Sequence, residues 1–244
     1  MHQNLEALSN AGYYCDEDGK IFLLNKPLQW TSFNVVKKVR CLFNLRKVGH
    51  TGTLDPRAEG LLIVCTEKKT KLVSEFELME KEYRGTMILG ACTKSFDAET
   101  EVYERHSIEE ISEEKIHSVM HTFLGQQEQL PPMYSALKHQ GKSLYEFARN
   151  GEEIKREPRS ISISVFEMLN IELPSVAFRV VCSKGTYIRS LVNDVGNMLG
   201  CGAYLSSLTR TRIGNFSLAN AISVDGLEPL AKQYATPRIK KSVM

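Results

Sequence analysis

The chain has 244 residues, of which 42% are hydrophobic and 25% charged, a globular composition that excludes fibrous and low-complexity proteins. Its formal net charge is only +2, so binding to a polyanion would require clustered rather than abundant basic residues. No stretch approaches eighteen apolar residues and no leader pattern opens the chain, so we expect a cytoplasmic protein with no membrane partner.

The first half of the chain alternates between strand and helix patterns. Residues 1–19 show little periodicity and are expected to form a poorly ordered extension, with a single domain over residues 20–244. The first strand is predicted at residues 21–25. Thr31 and Ser32 are predicted to cap a helix with apolar residues at helical spacing. These apolar residues are Val35, Val36, Val39, Leu42 and Phe43. Further along, we predict strands at 60–66 and 83–89 and a helix at 108–124.

The second half begins with a segment rich in proline and glycine. Residues 125–159 are predicted to be an insertion of loop with one short helix at 143–150, placed to cover a site. Strands at 160–173 and 176–183 and a helix at 187–199 follow. The order of elements predicts an α+β fold with a mixed sheet flanked by helices.

The cysteine and histidine positions give no metal-binding spacing. No Cys-x-x-Cys pair occurs, so we expect free, mostly buried thiols in a reducing compartment. His117 and His121 are four apart on a predicted helix, but no third ligand lies near them in sequence. We therefore predict no metal. The six cysteines are Cys15, Cys41, Cys65, Cys92, Cys182 and Cys201.

Residues 49–60 carry the most informative chemistry. Asp55 stands among Gly49, Gly52, Gly60 and Pro56, which favour a rigid, sharply bent loop. Rigid loops commonly hold catalytic groups, so Asp55 is a candidate nucleophile. The alternative is an Asx turn, in which the carboxylate only bonds its own backbone.

A basic run precedes this loop. Five cations fall within eleven residues that contain no acid, which suits a polyanion if they share an exposed face. The alternative is an ordinary solvated helix face. The run consists of Lys37, Lys38, Arg40, Arg46 and Lys47.

Residues 50–56, His-Thr-Gly-Thr-Leu-Asp-Pro, followed by Ala58 and Gly60, resemble the catalytic signature of the TruB family of tRNA pseudouridine synthases. Four more blocks occur in the family's order, and together the resemblance covers roughly residues 20–226. The blocks are Lys26-Pro27 with Thr31-Ser32, Lys81-x-Tyr83, residues 129–138, and residues 185–189.

The resemblance implies the pseudouridine synthase fold, with a largely antiparallel sheet, and the isomerisation of a tRNA T-loop uridine, position 55 in tRNA numbering. The reaction changes neither composition nor redox state, so no cofactor is expected. Asp55 would initiate glycosidic cleavage, Arg189 would keep this carboxylate ionised, and Tyr83 would stack on the uracil. From the sequence alone, Arg189 on a solvated helix turn and Tyr83 as an ordinary sheet aromatic remain open alternatives.

The resemblance also implies a set of substrate-binding residues. His50 would support the gap left by the flipped base, Asp97 would contact neighbouring nucleotides, and Tyr187 and Leu208 would line the pocket. Tyr187 and Leu208 are equally compatible with a purely structural role. The fifth residue of the set is Lys26, from the Lys-Pro block.

Two features depart from the family pattern. Gln29 replaces a usual glycine, and residues 93–100 differ from Thr-Asp-Thr-x-Asp-Ala-x-Gly, which implies an altered grip on RNA. We also expect the PUA-type domain of many bacterial members to be absent, and therefore weaker, more salt-sensitive tRNA binding than in longer members.

The expected partner is the tRNA T stem-loop, bound by a monomer. Two alternatives remain at this stage: a guide-dependent relative that modifies other RNAs, and a catalytically silent RNA-folding chaperone.

Overall fold

The computed structural model describes residue 8 and residues 10–234. It contains two compact units. The first unit comprises residues 1–77 and 215–244, and the second comprises residues 78–214. The strands of the described residues are β1 (Tyr13–Asp16), β2 (Gly19–Lys26), β3 (Val48–His50), β4 (Ala58–Thr66), β5 (Lys81–Leu89), β6 (Ala91–Thr93), β7 (Val102–Arg105), β8 (Gly125–Gln129), β9 (Lys138–His139), β10 (Lys142–Ser143), β11 (Arg159–Glu172), β12 (Ser175–Cys182), β13 (Ala203–Ile213), β14 (Phe216–Ser217) and β15 (Ile222–Ser223).

The helices are distributed over both units. Short 3₁₀ helices also occur at Glu67–Leu72 and Leu218–Asn220. The α-helices of the described residues are α1 (Ser32–Leu42), α2 (Val73–Leu78), α3 (Glu113–Thr122), α4 (Leu144–Arg149), α5 (Ile188–Leu199) and α6 (Leu227–Tyr234).

In the first unit, β2 lies between β1 and β4, antiparallel to both, and β3 extends along β4. The short β15 pairs with β2 in parallel. The apolar face of α1 packs with α6 against β2 and β4, because its apolar residues recur at helical spacing. The buried cluster consists of Phe22, Leu24, Val35, Val39, Leu62, Val64, Val224, Leu227 and Leu230.

The expected N-terminal extension is partly wrong. Residues 13–16 form β1, in register with residues 19–22 of β2. The turn depends on Gly19, which has φ 136° and lies so near the Thr66 carbonyl that a Cβ there would stand 2.4 Å from its oxygen. Strand β1 has only four residues, all half-buried, so its sequence shows little periodicity. Residues 1–7 and 9 lie outside the described part of the chain.

The second unit is built on an antiparallel sheet in the order β13-β5-β12-β11-β8. Helix α5 packs on β13, and α3 packs on α5 and β11. Strand β5 alternates buried and less buried residues along its length, as a strand with one core face does. The predicted α+β fold, with a largely antiparallel sheet and flanking helices, is confirmed.

The other predicted elements lie close to their expected bounds, with one shorter helix. Strand β13 was not predicted, and residues 125–159, predicted as loop with one helix, also contain β8, β9 and β10. Strand β8 is polar and lies at the edge of the sheet, so its sequence shows no apolar alternation. The predicted helix at 108–124 is α3, which begins only after Ser112, whose Oγ accepts from the Lys115 N–H at 3.2 Å. The helix predicted at 143–150 is α4. Among the described residues, no helix has the length and apolarity needed to span a lipid bilayer.

Candidate active site

The loop that carries Asp55 joins β3 to β4 and is fastened from several sides. The Ser32 side chain, at the start of α1, accepts from the Leu54 N–H at 2.9 Å and donates to the Leu54 carbonyl at 3.3 Å, in a buried position. The Pro56 carbonyl accepts from the Gln29 N–H at 2.7 Å, and the Thr51 N–H donates to the Ile63 carbonyl at 3.0 Å. Asp55 is half-buried in a loop whose backbone has little freedom.

Lys26 and Gln29 hold the turn that faces this loop. Lys26, at the end of β2, is fully buried, and its Nζ donates to the carbonyls of Pro27 at 3.0 Å and Trp30 at 2.6 Å. Gln29 has φ 65°, in the left-handed region. Glycine adopts this conformation at the least cost, which explains why glycine is favourable at this position. In this conformation the Gln29 N–H points toward the Pro56 carbonyl. Lys26 therefore has a structural role in the turn, whereas its role in binding substrate stays a prediction.

His50 is the last residue of β3, paired with Val64 of β4, and is half-buried. This position places it at the entrance of the Asp55 loop. Its proposed contact with RNA stays a prediction.

In the second unit, Arg189 is a buried cation and not a residue on a solvated helix turn. It is 5% exposed, in the first turn of α5. Its guanidinium donates to the Ser95 carbonyl at 3.1 Å and the Tyr134 carbonyl at 2.7 Å, and its Nε lies 3.6 Å from Asp97 Oδ2. Two segments distant in sequence thus converge on one side chain.

Asp97 lies buried beside Arg189 in a tightly bonded turn. Its Oδ1 accepts from Ser95 Oγ at 2.6 Å and from the Glu99 N–H at 2.9 Å. The Thr100 hydroxyl, where the family pattern has glycine, lies 3.0 Å from Ser95 Oγ. The residues that depart from the family pattern therefore bond within the turn, and Asp97 faces Arg189. Its predicted contact with flipped nucleotides is not tested by this arrangement.

Tyr83 and Leu208 share one face of the antiparallel sheet. Tyr83 of β5 is paired with Arg210 of β13, and Leu208 with Gly85, so the side chains of Tyr83, Arg210 and Leu208 point the same way. Tyr83 and Leu208 are each 9% exposed. A Cβ on Gly85 would stand 3.2 Å from Leu208 Cδ1, so the glycine lets the leucine approach closely.

Tyr187 is the N-cap of α5 and is held by its backbone. Gln129 is buried, and its side chain accepts from the Tyr187 N–H at 2.8 Å and donates to the Tyr187 carbonyl at 3.0 Å. No role for Gln129 was predicted from the sequence, although Gln129 is the first residue of one of the matched blocks. Its two polar atoms satisfy both backbone groups of Tyr187, which fixes the residue two positions before Arg189.

Sequence reasoning also missed Arg210, the largest of the fully buried side chains in the described residues. The only sequence signal was a basic residue at an inward position of a strand, recognisable once the register with Tyr83 is known.

The thiols beside the motif segments are poor nucleophiles. Burial raises the pKa of the Cys65 thiol, on β4, to about 12, and that of Cys182, at the end of β12, to about 12. Both are neutral at physiological pH and therefore unreactive. All six cysteines are free, and four of them are buried, which confirms the prediction.

Two family models match the chain. The TruB family pseudouridylate synthase (N terminal domain) matches residues 40–188, and the tRNA pseudouridylate synthase B C-terminal domain matches residues 189–243. Proteins named tRNA pseudouridine synthase B from Chloroherpeton thalassium and Chlorobaculum tepidum are 47% and 48% identical to it. The alignments cover 88% and 86% of this chain and 92% and 90% of those relatives.

Solved structures give the same fold. The structure of a Cbf5-Nop10-Gar1 complex is similar with a TM-score of 0.67 and 35% identity, over 89% of this chain and 55% of that chain. The archaeal box H/ACA sRNP Nop10-Cbf5 complex gives 0.64 and 29%, with the same coverage of 89% and 55%. This chain therefore spans little more than half the length of those solved chains.

Proposed function

Because this chain belongs to the TruB family of pseudouridylate synthases, it is an isomerase that converts uridine in tRNA to pseudouridine, and we propose that its target is uridine 55 of the T loop. The observation that carries the proposal is the fastened Asp55 loop, whose sequence matches the family signature. The enzyme acts as a monomer in the cytoplasm, on the T stem-loop.

Asp55 is the catalytic carboxylate of this proposal. The reaction breaks the bond from uracil N1 to ribose C1′ and forms a bond from C5 to the same carbon, while C5 loses a proton and N1 gains one. Atoms and electrons balance without a redox partner. Attack on C1′, attack on uracil C6 and removal of a ribose proton can each start at this carboxylate. The backbone bonds of Leu54 and Pro56 hold the carboxylate in a fixed direction.

Arg189 and Tyr83 are the other two catalytic residues. A buried carboxylate needs a cation to stay ionised, and the guanidinium of Arg189 is the group we assign to this task. Its buried position and its bonds to fixed carbonyls support the role, because they leave the guanidinium little freedom to move. Tyr83 is on a buried sheet face, where its ring can stack on the face of the uracil away from water.

The remaining assigned residues hold the RNA and the detached base. Leu208 and Tyr187 line the uracil pocket, which must keep the free base from leaving. His50 supports the stack after base flipping, which costs a few kcal/mol of unstacking. Asp97 and Lys26 complete the set, and both are buried.

The insertion at residues 125–159 is proposed to clamp the bound tRNA. Helix α4 docks on the preceding loop, since the Tyr145 N–H donates to the Ser135 carbonyl at 3.0 Å and the Leu144 N–H to the Leu137 carbonyl at 2.7 Å. The same loop provides the Tyr134 carbonyl that binds Arg189. A movement of the insertion would therefore shift the carbonyl to which Arg189 donates. Protection of this segment from protease by tRNA supports clamping, and unchanged cleavage contradicts it.

The decisive experiment is to incubate unmodified tRNA transcript with wild type and Asp55→Ala and to map pseudouridine at nucleotide resolution. Wild type should modify uridine 55 alone, without added guide RNA, and Asp55→Ala should not. Glu59→Gln is the matched control, since it removes another half-buried acid of the same segment. It should retain activity. Binding of tRNA without modification by wild type would favour an RNA chaperone, and modification only with a guide RNA would favour the guide-dependent alternative.

A further inference from the structure

We propose that Cys92, Glu104 and His106 form a Zn²⁺ site on the β6–β7 hairpin of the second unit. The Cys92 Sγ, a carboxylate oxygen of Glu104 and a ring nitrogen of His106 all lie within 4.8 Å of one another. His106 Nε2 is 3.5 Å from Glu104 Oε1. These three residues are called the hairpin cluster. The proposal is independent of the isomerase reaction and departs from the sequence-based expectation of no metal.

Strand register brings the three side chains to one face. Cys92 of β6 is paired directly with Glu104 of β7, so their side chains lie side by side. His106 follows Glu104 by two residues and therefore points to the same face. The His106 N–H donates to the Gly90 carbonyl at 2.9 Å, which ties the end of the hairpin beyond β7. The arrangement is thus produced by the backbone.

The backbone of Gly202 lies directly against the hairpin cluster. A Cβ on Gly202 would stand 2.3 Å from Cys92 Sγ and 3.6 Å from His106 Cδ2. The backbone of Gly202 therefore packs directly against two of the three ligands, and its carbonyl accepts from the Gly90 N–H at 3.0 Å. Any larger residue would push the thiol out of place. This close approach is a second observation, separate from the ligand spacing.

The ligand types and distances suit zinc. In a tetrahedral site with Zn–S of about 2.3 Å and Zn–N or Zn–O of about 2.1 Å, ligand atoms are about 3.4 to 3.6 Å apart. The nitrogen to oxygen separation already has this value. Thiolate, imidazole and carboxylate together favour Zn²⁺ over the hard cations Mg²⁺ and Ca²⁺. Glu104 and His106 are exposed, so water can take the fourth position.

A bound Zn²⁺ would help to hold the loop between β6 and β7 in place. The chain between β6 and β7 contains Ser95 and Asp97, both of which contact Arg189. Cross-linking the two strands would hold the ends of this loop in register. We expect a stabilising and positioning role, since none of the three ligands belongs to the proposed catalytic set.

Co²⁺ titration tests the proposal directly, because Co²⁺ replaces Zn²⁺ in such sites and a thiolate ligand adds a charge-transfer band. Tag-free full-length protein, reduced with a phosphine and not a thiol, is titrated with Co²⁺ at neutral pH and then with Zn²⁺. Wild type should show one tetrahedral Co²⁺ per chain with a sulfur-to-cobalt band, displaced by Zn²⁺. Absence of this band in wild type would overturn the proposal.

Variants then identify the ligands. Cys92→Ser should abolish the charge-transfer band, and Glu104→Gln and His106→Gln should each weaken binding by more than about tenfold. Cys41→Ser and His121→Gln remove an exposed thiol and an exposed helical imidazole elsewhere, and both should bind as wild type does. A band that survives Cys92→Ser, or that disappears in His121→Gln, refutes the assignment. Equal melting temperatures without metal establish that Cys92→Ser is folded.

Discussion

Arg189 carries a positive charge in the first turn of α5, where the helix dipole disfavours a cation. The protein compensates by surrounding the guanidinium with oxygens: two backbone carbonyls and the Asp97 carboxylate. A buried charge that loses its partner is costly, typically by about 3 to 5 kcal/mol. Arg189 therefore has a structural role besides its proposed catalytic one, and its removal is not expected to affect activity alone.

A double-mutant cycle in the free energy of unfolding measures the structural part of this role. Arg189→Met should lower the free energy of unfolding by about 3 to 5 kcal/mol, because Asp97 is left buried without its cation. Asp97→Asn combined with Arg189→Met should cost less than the sum of the two single variants, since the double variant has no unpaired charge at this position. Urea denaturation of the four proteins gives the coupling. Strictly additive values would mean that the two side chains do not interact.

Gln29 shows how a departure from the family pattern appears in the backbone. Its φ of 65° is left-handed, and its side chain is exposed. A non-glycine residue pays for this conformation through contact of its Cβ with the backbone. The left-handed backbone thus accounts for a glycine at this place.

Gln29→Gly should therefore stabilise the protein. We expect a gain of about 1 kcal/mol, because the relief of strain exceeds the added entropy of the unfolded chain. Gln29→Ala is the matched control, since alanine keeps the Cβ and removes the rest of the side chain. Chemical denaturation should rank glycine above both glutamine and alanine. A glycine variant less stable than the alanine variant would show that the strain is negligible.

At the scale of elements, α1 connects the basic run to the Asp55 loop. Its N-terminus has two adjacent hydroxyls with different tasks. Thr31 caps the helix by accepting from the Asn34 N–H at 3.0 Å. Ser32 points the other way and bonds both backbone groups of Leu54. One hydroxyl stabilises the helix, and the other positions the loop.

This difference gives a matched pair of variants. Thr31→Ala and Ser32→Ala should each cost about 1 to 2 kcal/mol of stability, through the lost cap and the lost buried bonds respectively. Only Ser32→Ala should also lower kcat for pseudouridine formation, by about tenfold or more, because the loop next to Asp55 loses its anchor. Single-turnover assays at a temperature where both variants are folded measure this. Equal kcat for the two variants would contradict the anchoring role.

Periodicity predicted several of the elements whose one face is buried, but not β13, which also alternates buried and less buried residues. Helix α1, helix α5 and strand β5 each have regular apolar spacing, and the structure places them within a few residues of the predicted bounds. Strand β1 was missed because it is short and half-buried throughout. The predicted start of α3 was too early because Ser112, and not an earlier residue, caps it.

The site was predictable only where a motif existed. Asp55, Tyr83 and Arg189 were proposed from local sequence blocks, whereas the residues that hold them in place were not. Gln129 contacts a residue fifty-eight positions away, and the partners of Arg189 come from two separate loops. Such bonds depend on tertiary packing, so no local pattern reports them. The hairpin cluster was missed for the same reason, since strand pairing brings Cys92 to Glu104.

Because the net charge of the whole molecule is small, the attraction of tRNA depends on where the charged residues lie. The 31 basic and 29 acidic residues nearly cancel, so long-range attraction of tRNA must come from local clusters. In the basic run, Lys37, Arg40, Arg46 and Lys47 are exposed. Lys38 differs, because its Nζ lies 2.7 Å from Glu228 Oε1 and its charge is already compensated.

Of the two adjacent lysines of α1, Lys37 therefore has a charge available to tRNA, whereas the charge of Lys38 is paired within the protein. If the basic run contacts phosphates, Lys37→Gln should weaken binding and reduce the slope of log affinity against log salt concentration by about 1. Lys38→Gln should change the slope less, since its ion pair with Glu228 already offsets the charge. Filter binding of unmodified tRNA over a range of salt concentrations measures both slopes. Equal slopes for wild type and Lys37→Gln would show that the run is an ordinary solvated face, and phosphate contacts would then have to come from other basic residues.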